Sequence, residues 1–189
     1  MPDTIAPDRV RLANATPGLS GPLDDAQPVV LPGRLSLRPA ADMARLALRG
    51  DPSALGTAVG LALPTQPCRA TEADGRSALW LGPDEWLLLA PSGTLDAETA
   101  APGASVVDIG HRQVGLVLEG PAAADALAAG CPLDLHLTAF PVGMCTRTVF
   151  GKVEIVLWRQ DAARFHIEAW RSFAAYVHGL LEHAAAAQP

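Results

Sequence analysis

The sequence predicts an α+β fold made of two pseudo-repeated β-α-β-β(-α) halves, and three observations carry that prediction. The first is a weak internal repeat. RLALRGDPSALGTAVGLALP at 45–64 and GLVLEGPAAADALAAGCPLD at 115–134 align without gaps. Leu46 then falls on Leu116, Leu48 on Leu118, Gly50 on Gly120, Gly60 on Gly130 and Leu63 on Leu133. The second is that each copy is followed by a pair of short strand-like runs separated by turn residues. The third is a C-terminal stretch with apolar residues at helical spacing. Antiparallel strands burying one face under helices form an α+β unit of the ferredoxin-like kind.

Taken in chain order, residues 1–32 are rich in Pro, Asp and Ala and hold neither period, so they read as an irregular arm. Organised structure is expected from Gly33, where RLSLRPAADMARLALRG offers two alternating runs broken at Pro39. A Gly50-centred turn leads into a helix that Gly60 closes as a left-handed cap. ALWLGPDEWLLLAP follows as strand Leu79–Leu81, a Gly-Pro-Asp-Glu turn, and strand Trp86–Leu89 with Trp86 in the core. The segment 92–103 stands where a closing helix would fall, but Gly and Pro at both ends make it degenerate.

The second copy repeats the plan. Pro121 is placed in the first helical turn, where its missing N–H is harmless, and Gly130 at the cap. In KVEIVLWRQDAARFHIEAW, Val153, Ile155 and Leu157 share a face, and the chain turns at Arg159–Ala163. It then runs from Arg164 to Ala169, with His166 directed away from the core. A final helix from about Arg171 aligns Phe173, Val177, Leu180 and Leu181, leaving His178 and Glu182 as a solvated pair outside. The expected domain is 33–183, in halves 33–102 and 103–183, with 184–189 as a tail.

Composition narrows the function. The net charge of −6 over 189 residues lacks the basic face of a nucleic-acid binder. Mean hydropathy of +0.20 suits a subunit that buries surface against partners. No apolar run reaches the ~18–20 residues a bilayer span needs, and MPDTIAPDRV lacks the pattern of a signal peptide, so the cytoplasm is expected. Cys68, Cys131 and Cys145 are odd in number, widely spaced and flanked by apolar or small residues, which reads as buried structural thiols.

Residues for chemistry are sparse. Asp108, His111 and Arg112 in VVDIGHRQV form the most chemical-looking cluster, with Asp108 as a potential orienter of a His111 base. Asp108 and Gly110 equally suit a turn before a strand, and no nucleophile or phosphate loop accompanies them. The five His residues show no metal-ligand spacing, and neither GxGxxG nor GxxxxGK[ST] occurs. No catalytic, cofactor or metal residue is therefore expected in this chain. Arg and Trp are the residue types that anchor interfaces most often. His111, Arg112, Arg147, Trp158 and Trp170 are the expected subunit-contact residues.

LGPDEWLLLAP at 81–91, GHRQVGLVLEGPAAADALAAGCPLDLH at 110–136, FPVGMCTRT at 140–148 and FHIEAWRSFAAYV at 165–177 closely resemble the gamma subunits of heterotetrameric sarcosine oxidase. These are relatives of the folate-binding aminomethyltransferase fold, and the resemblance spans roughly residues 30–184. It implies an aminomethyltransferase-like domain and a non-catalytic structural or assembly role. The complex would demethylate sarcosine oxidatively to glycine, giving hydrogen peroxide and passing the one-carbon unit to tetrahydrofolate. It also implies alpha, beta and delta partner subunits, chiefly alpha. FAD, FMN, NAD, tetrahydrofolate and zinc would be held in those other chains. The alternative is a stand-alone folate-binding or aminomethyltransferase-like protein, although no carboxylate here sits in a motif matching the Asp of the folate enzymes.

Overall fold

Two antiparallel sheets lie face to face, one with a single helix on its outer side and the other with two. The computed structural model describes residues 21–24, 26–94 and 103–187. Among these, the strands are β1 (Val29–Leu31), β2 (Leu35–Pro39), β3 (Met43–Arg49), β4 (Ala70–Ala73), β5 (Arg76–Gly82), β6 (Glu85–Pro91), β7 (Ser105–Asp108), β8 (Gln113–Glu119), β9 (Cys145–Phe150), β10 (Val153–Asp161) and β11 (Arg164–Trp170). The helices are α1 (Pro52–Val59), α2 (Ala123–Ala128) and α3 (Ala174–Ala186), the last preceded by a 3-10 turn at Arg171–Phe173. One sheet has the order β1-β2-β8-β11-β10-β9 and the other β4-β5-β6-β3-β7.

Period-two alternation builds three apolar layers from these strands. Leu116, Leu118, Phe165, Ile167, Ile155 and Leu157 point to α2 and α3. Leu46, Leu48, Trp86 and Leu88 point to Leu55 and Val59 of α1. The opposite faces meet each other, with Leu79, Leu87, Leu89, Ile109, Cys145, Val156 and Trp158 between the sheets. Each fully buried side chain of this size stabilises the fold by about 1.5–3 kcal/mol. Trp86 also donates its indole N–H to the Pro64 carbonyl at 2.8 Å.

The two sheets share one strand plan. β3-α1-β4-β5-β6 forms β4-β5-β6-β3, and β8-α2-β9-β10-β11 forms β9-β10-β11-β8. The strands preceding these units are exchanged: β2 pairs with β8, and β7 pairs with β3. The sequence halves 33–102 and 103–183 therefore interleave in space. The ferredoxin-like description does not fit this order. A split β-α-β unit places one strand between the two that its helix joins. Here two strands intervene, and the joined strands lie at opposite ends of the four.

Local signals explain most boundaries. Asp51 caps α1, its carboxylate accepting from Ala54 N at 2.8 Å, with Pro at the start of the helix and left-handed Gly60 (φ 66) at its end. Gly50 (φ 138) and Gly120 (φ 128) both end a strand in a conformation that favours glycine. At Gly120 a Cβ would sit 2.3 Å from the Arg34 carbonyl oxygen.

Several expectations are corrected. β1 falls inside the segment expected to be irregular, pairing with β2, and Leu23 joins the α2/α3 core. Gly130 is not a left-handed cap: α2 ends at Ala128, and Gly130 is needed where Phe150 passes within 2.8 Å of its would-be Cβ. Pro121 lies in the turn before α2. The β10–β11 turn is only Ala162–Ala163, because β10 runs on through a bulge to Asp161. In α3 the buried stripe is Ala174, Val177, His178, Leu181, Ala184 and Ala185, while Phe173 is exposed. His178 is thus buried, Glu182 stays outside, and α3 continues to Ala186 past the expected tail boundary. Most of segment 92–103, the degenerate counterpart, lies outside the described residues.

Candidate functional site

The expected contact residues divide between surface and core. β8 and β11 are neighbours in register, with Gln113 opposite Trp170, so the turn before β8 lies beside the end of β11. Arg112 consequently places its guanidinium carbon 5.1 Å from the centroid of the Trp170 ring, a cation–π pair at the surface. Trp170, Phe173 and Tyr176 are 43%, 44% and 46% exposed, three large aromatic groups at spacings of three residues. His111 is exposed in the same turn.

Asp108 ends β7, and its Oδ1 accepts from Gly110 N at 2.7 Å, shaping the turn. That contact is the structural alternative of the two readings of the Asp108–His111 cluster.

Arg147 is exposed but engaged. On β9 it forms a two-pronged pair with Glu85 of β6, and Arg49 of β3 approaches the same carboxylate at 2.7 Å. The Arg147 hydrogen bond, with the charges of Arg147 and Arg49, holds the Glu85 carboxyl below the usual range despite partial burial. This cluster ties the two sheets at their rim. Arg147 is therefore a less available partner contact than Arg112.

Trp158 is corrected outright. It is 1% exposed, packed between the sheets with its ring 5.9 Å from that of His166. It holds the two sheets of this chain together and presents nothing to a partner.

The residues missed by sequence reasoning lie beside it. His166 and Glu168 alternate with Phe165 and Ile167, so they do leave the helix-side core, as alternation requires. The face they enter is covered by the other sheet, and both are buried, at 3% and 1% exposed. Glu168 Oε1 lies 2.7 Å from His166 Nε2, and its Oε2 accepts from Arg45 Nε at 2.6 Å. Burial alone would push the Glu168 carboxyl up; the contacts with His166 and Arg45 reverse that and hold it low. Gly115 makes the pair possible, since a Cβ there would meet Glu168 Oε1 at 2.8 Å and Arg45 Nη2 at 2.9 Å.

The thiols follow expectation in part. Cys131 and Cys145 are buried, Cys68 is half-buried, and all three are free. Burial pushes the Cys145 thiol up to about 12. Among the described residues no three His, Cys, Asp or Glu side chains gather at metal-binding distance.

A further buried cation sits on the helix side of β10. Arg159 donates to the Leu135 carbonyl at 2.6 Å and stacks 4.5 Å over Phe165, and burial pulls its ionisation down. A cavity of about 430 Å³ opens between the sheets at the β4–β5 end, lined by groups that include Arg38, Glu72, Gln160, Arg164 and His166.

Comparison with known proteins supplies a family. Residues 41–187 match the family model described as the sarcosine oxidase, gamma subunit family. The chain is 37% identical over 163 residues to a sarcosine oxidase subunit gamma of Corynebacterium sp. (strain P-1), covering 79% of this chain and 80% of the relative. It is 36% identical over 147 residues to that of an Arthrobacter species, covering 71% and 72%. Among solved structures, a chain of the heterotetrameric sarcosine oxidase from Corynebacterium sp. U-96, in complex with pyrrole 2-carboxylate, superposes with a TM-score of 0.81 at 30% identity. That match covers 89% of this chain and 95% of the other. The glycine cleavage system aminomethyltransferase T of Bartonella henselae matches at a TM-score of 0.59 and 18% identity, over 77% and 44% of the two chains, a likeness of fold alone.

Proposed function

Since the chain belongs to the sarcosine oxidase gamma subunit family, we propose that it is a non-catalytic assembly subunit of a heterotetrameric sarcosine oxidase. The proposed complex demethylates sarcosine oxidatively to glycine in the cytoplasm, forms hydrogen peroxide and hands the one-carbon unit to tetrahydrofolate. Its FAD, FMN, NAD, folate and zinc belong to the alpha, beta and delta chains. Residues 33–183 act as one unit whose halves are duplicates, a reading supported by the strand order common to both sheets.

The observation that carries this reading is the exposed aromatic group formed by Trp170, Phe173 and Tyr176, with Arg112 stacked on the first. Trp and Arg side chains of this kind contribute most of the energy of protein interfaces when a partner desolvates them. The chemical-looking side chains are occupied instead by the fold: Asp108 by its turn, Glu85 by two arginines, Glu168 by Arg45 and His166. We propose the alpha chain as the principal partner at this surface.

Affinity capture of the tagged chain, co-expressed with its partner subunits, tests the proposal. The captured material should contain the larger chains and show flavin absorption in the visible. A Trp170→Ala, Phe173→Ala double variant should lower the recovered flavoprotein about tenfold, corresponding to roughly 1.4 kcal/mol of interface energy. Turnover per assembled complex should be unchanged. Full assembly with lost turnover would overturn the assembly role. Stoichiometric folate binding by the isolated chain would favour the stand-alone alternative.

A further inference from the structure

Two of the three free thiols meet where the sheets join. Arg69 lies opposite Met144 in an isolated antiparallel bridge. On either side of it, Ala70 N donates to Gly143 O at 2.9 Å and Cys145 N donates to Cys68 O at 3.0 Å. That register sets Cys68 directly opposite Cys145. Opposed residues of a hydrogen-bonded antiparallel pair have Cα atoms about 5.5 Å apart. A disulfide requires about 4.4–6.8 Å, so the backbones stand at bonding distance. The side chains also sense each other. Burial does most to push the Cys145 thiol up, and the charge of Cys68 adds to it.

The two cysteines differ in access and in backbone. Cys68 is half-buried, whereas Cys145 is buried between the sheets with its Sγ 3.6 Å from the Trp80 carbonyl oxygen. Cys68 holds φ 58, in the left-handed region. Among the described residues the other non-glycine there is Asp74 (φ 51). Asp74 precedes Gly75 in the two-residue turn between β4 and β5, where an Asp-Gly pair is favoured. Turn chemistry offers no such reason for a cysteine at position 68. The third thiol, Cys131, instead faces the Thr148 hydroxyl at 3.8 Å.

We propose that Cys68 and Cys145 form a reversible disulfide when the chain meets hydrogen peroxide. The Cys68 thiolate attacks one peroxide oxygen and the O–O bond breaks. The departing hydroxide takes up the proton that the thiol had lost and leaves as water. The Cys145 sulfur then attacks the sulfenic acid on Cys68. The S–S bond forms, and the sulfenic hydroxyl leaves with the Cys145 proton as a second water. Two electrons pass from the sulfurs to the peroxide. Cys145 thus reacts with a neighbour held in place, while burial shields it from reagents in solution. Cys145 opens β9 of the six-stranded sheet, and Cys68 precedes β4 of the five-stranded one. The bond therefore staples the two sheets together. This inference rests on the proposed function only for its source of peroxide.

Added hydrogen peroxide supplies the oxidant in the test, so the outcome does not depend on the partner subunits. The reduced full chain is treated with a small excess of peroxide, alkylated in denaturant and digested without reduction. Peptide mapping should find Cys68 joined to Cys145, with Cys131 alkylated. The melting temperature should rise by about 5 °C or more and fall back with dithiothreitol. Cys68→Ser should show no rise, and Cys131→Ser should keep the cross-link. In Cys145→Ser, dimedone should trap Cys68 as its sulfenic acid. Should that variant fail to fold, mapping of the wild type decides alone. A bond to Cys131, chains joined in pairs through Cys68, a Cys68 that runs on to sulfinic acid, or three thiols all still alkylated would each overturn the proposal.

Discussion

Replacing Arg45 with Met removes half of an ion pair that lies wholly between the two sheets. The side chains of Arg45 and Glu168 are 7% and 0% exposed, and their contact is 2.6 Å. Removing one partner of a buried pair costs about 3–5 kcal/mol, because the other charge is left unpaired in a place water does not reach. His166 stays against Glu168 Oε1 at 2.7 Å and retains part of the compensation. The low end, about 3 kcal/mol, therefore applies. With a urea m-value near 2–3 kcal/mol/M, that is a midpoint drop of about 1–1.5 M.

Acid should narrow the deficit. In the wild type the Glu168 carboxyl is held below its unfolded value, so its contribution is present above about pH 4.3 and is lost as pH falls through the folded value. Burial is the largest influence on this carboxyl, and it acts upward. Without Arg45 the upward influence gains, and protonation relieves the buried charge. The variant should be weakest relative to wild type at pH 7–8 and approach it toward pH 5. Urea melts at several pH values measure both effects. A loss under about 1 kcal/mol, or a loss equal at both ends of that range, would refute the reasoning. The paired change Arg45→Met with Glu168→Leu should recover most of the stability, since no charge is left buried alone.

Three further outcomes follow from the same geometry. Trp158→Ala should cost about 3–5 kcal/mol in a urea melt, whereas Trp170→Ala should stay within about 0.5 kcal/mol, separating core from surface. Gly115→Ala should lose about 1–3 kcal/mol, because the added methyl meets Ala40, Glu168 and Arg45 at under 3 Å; little change would mean the sheets yield there. With an aromatic disulfide reagent at pH 8, the half-buried Cys68 should react first and Cys145 only after unfolding; early labelling of Cys145, followed by peptide mapping, would contradict its burial.

How far the sequence could be read depended on which neighbours a residue needs. Leu46, Leu48, Leu116 and Leu118 were legible because alternation and the adjacent helix are local in the chain. Gly50 and Gly120 were legible because strand, glycine and helix follow one another directly. His166 shows where local reading stops: its strand face was evident, but not that a second sheet covers that face. Trp158 failed for the same reason, and Arg45, 123 positions from Glu168, carried no signal of its partner. β4 went unseen because ATEA is short, half polar and at a sheet edge. Cys145–Phe150 alternates only partly, its Arg147 held by Glu85 rather than by a neighbouring strand residue. Of the exposed aromatic group proposed as the contact surface, Arg112 and Trp170 could be singled out by residue type, whereas the exposure of Phe173 and Tyr176 required knowing how α3 is rotated.

The exchange of β2 and β7 between the sheets bears on how the chain must fold. β2 waits for β8, Leu37 lying opposite Leu118, so its partner leaves the ribosome some eighty residues later. β3 gains its outer neighbour only when β7 arrives, Leu48 opposite Val106. Neither sheet can close its hydrogen-bond ladder before the other half of the chain exists. Contacts this distant in sequence slow folding, because the entropy of closing long loops precedes any gain from pairing. The chain should therefore fold in one concerted and comparatively slow step. Until β8 emerges, the free edge of β2 remains open to strands of other molecules, a hazard that early capture by a partner or chaperone would remove.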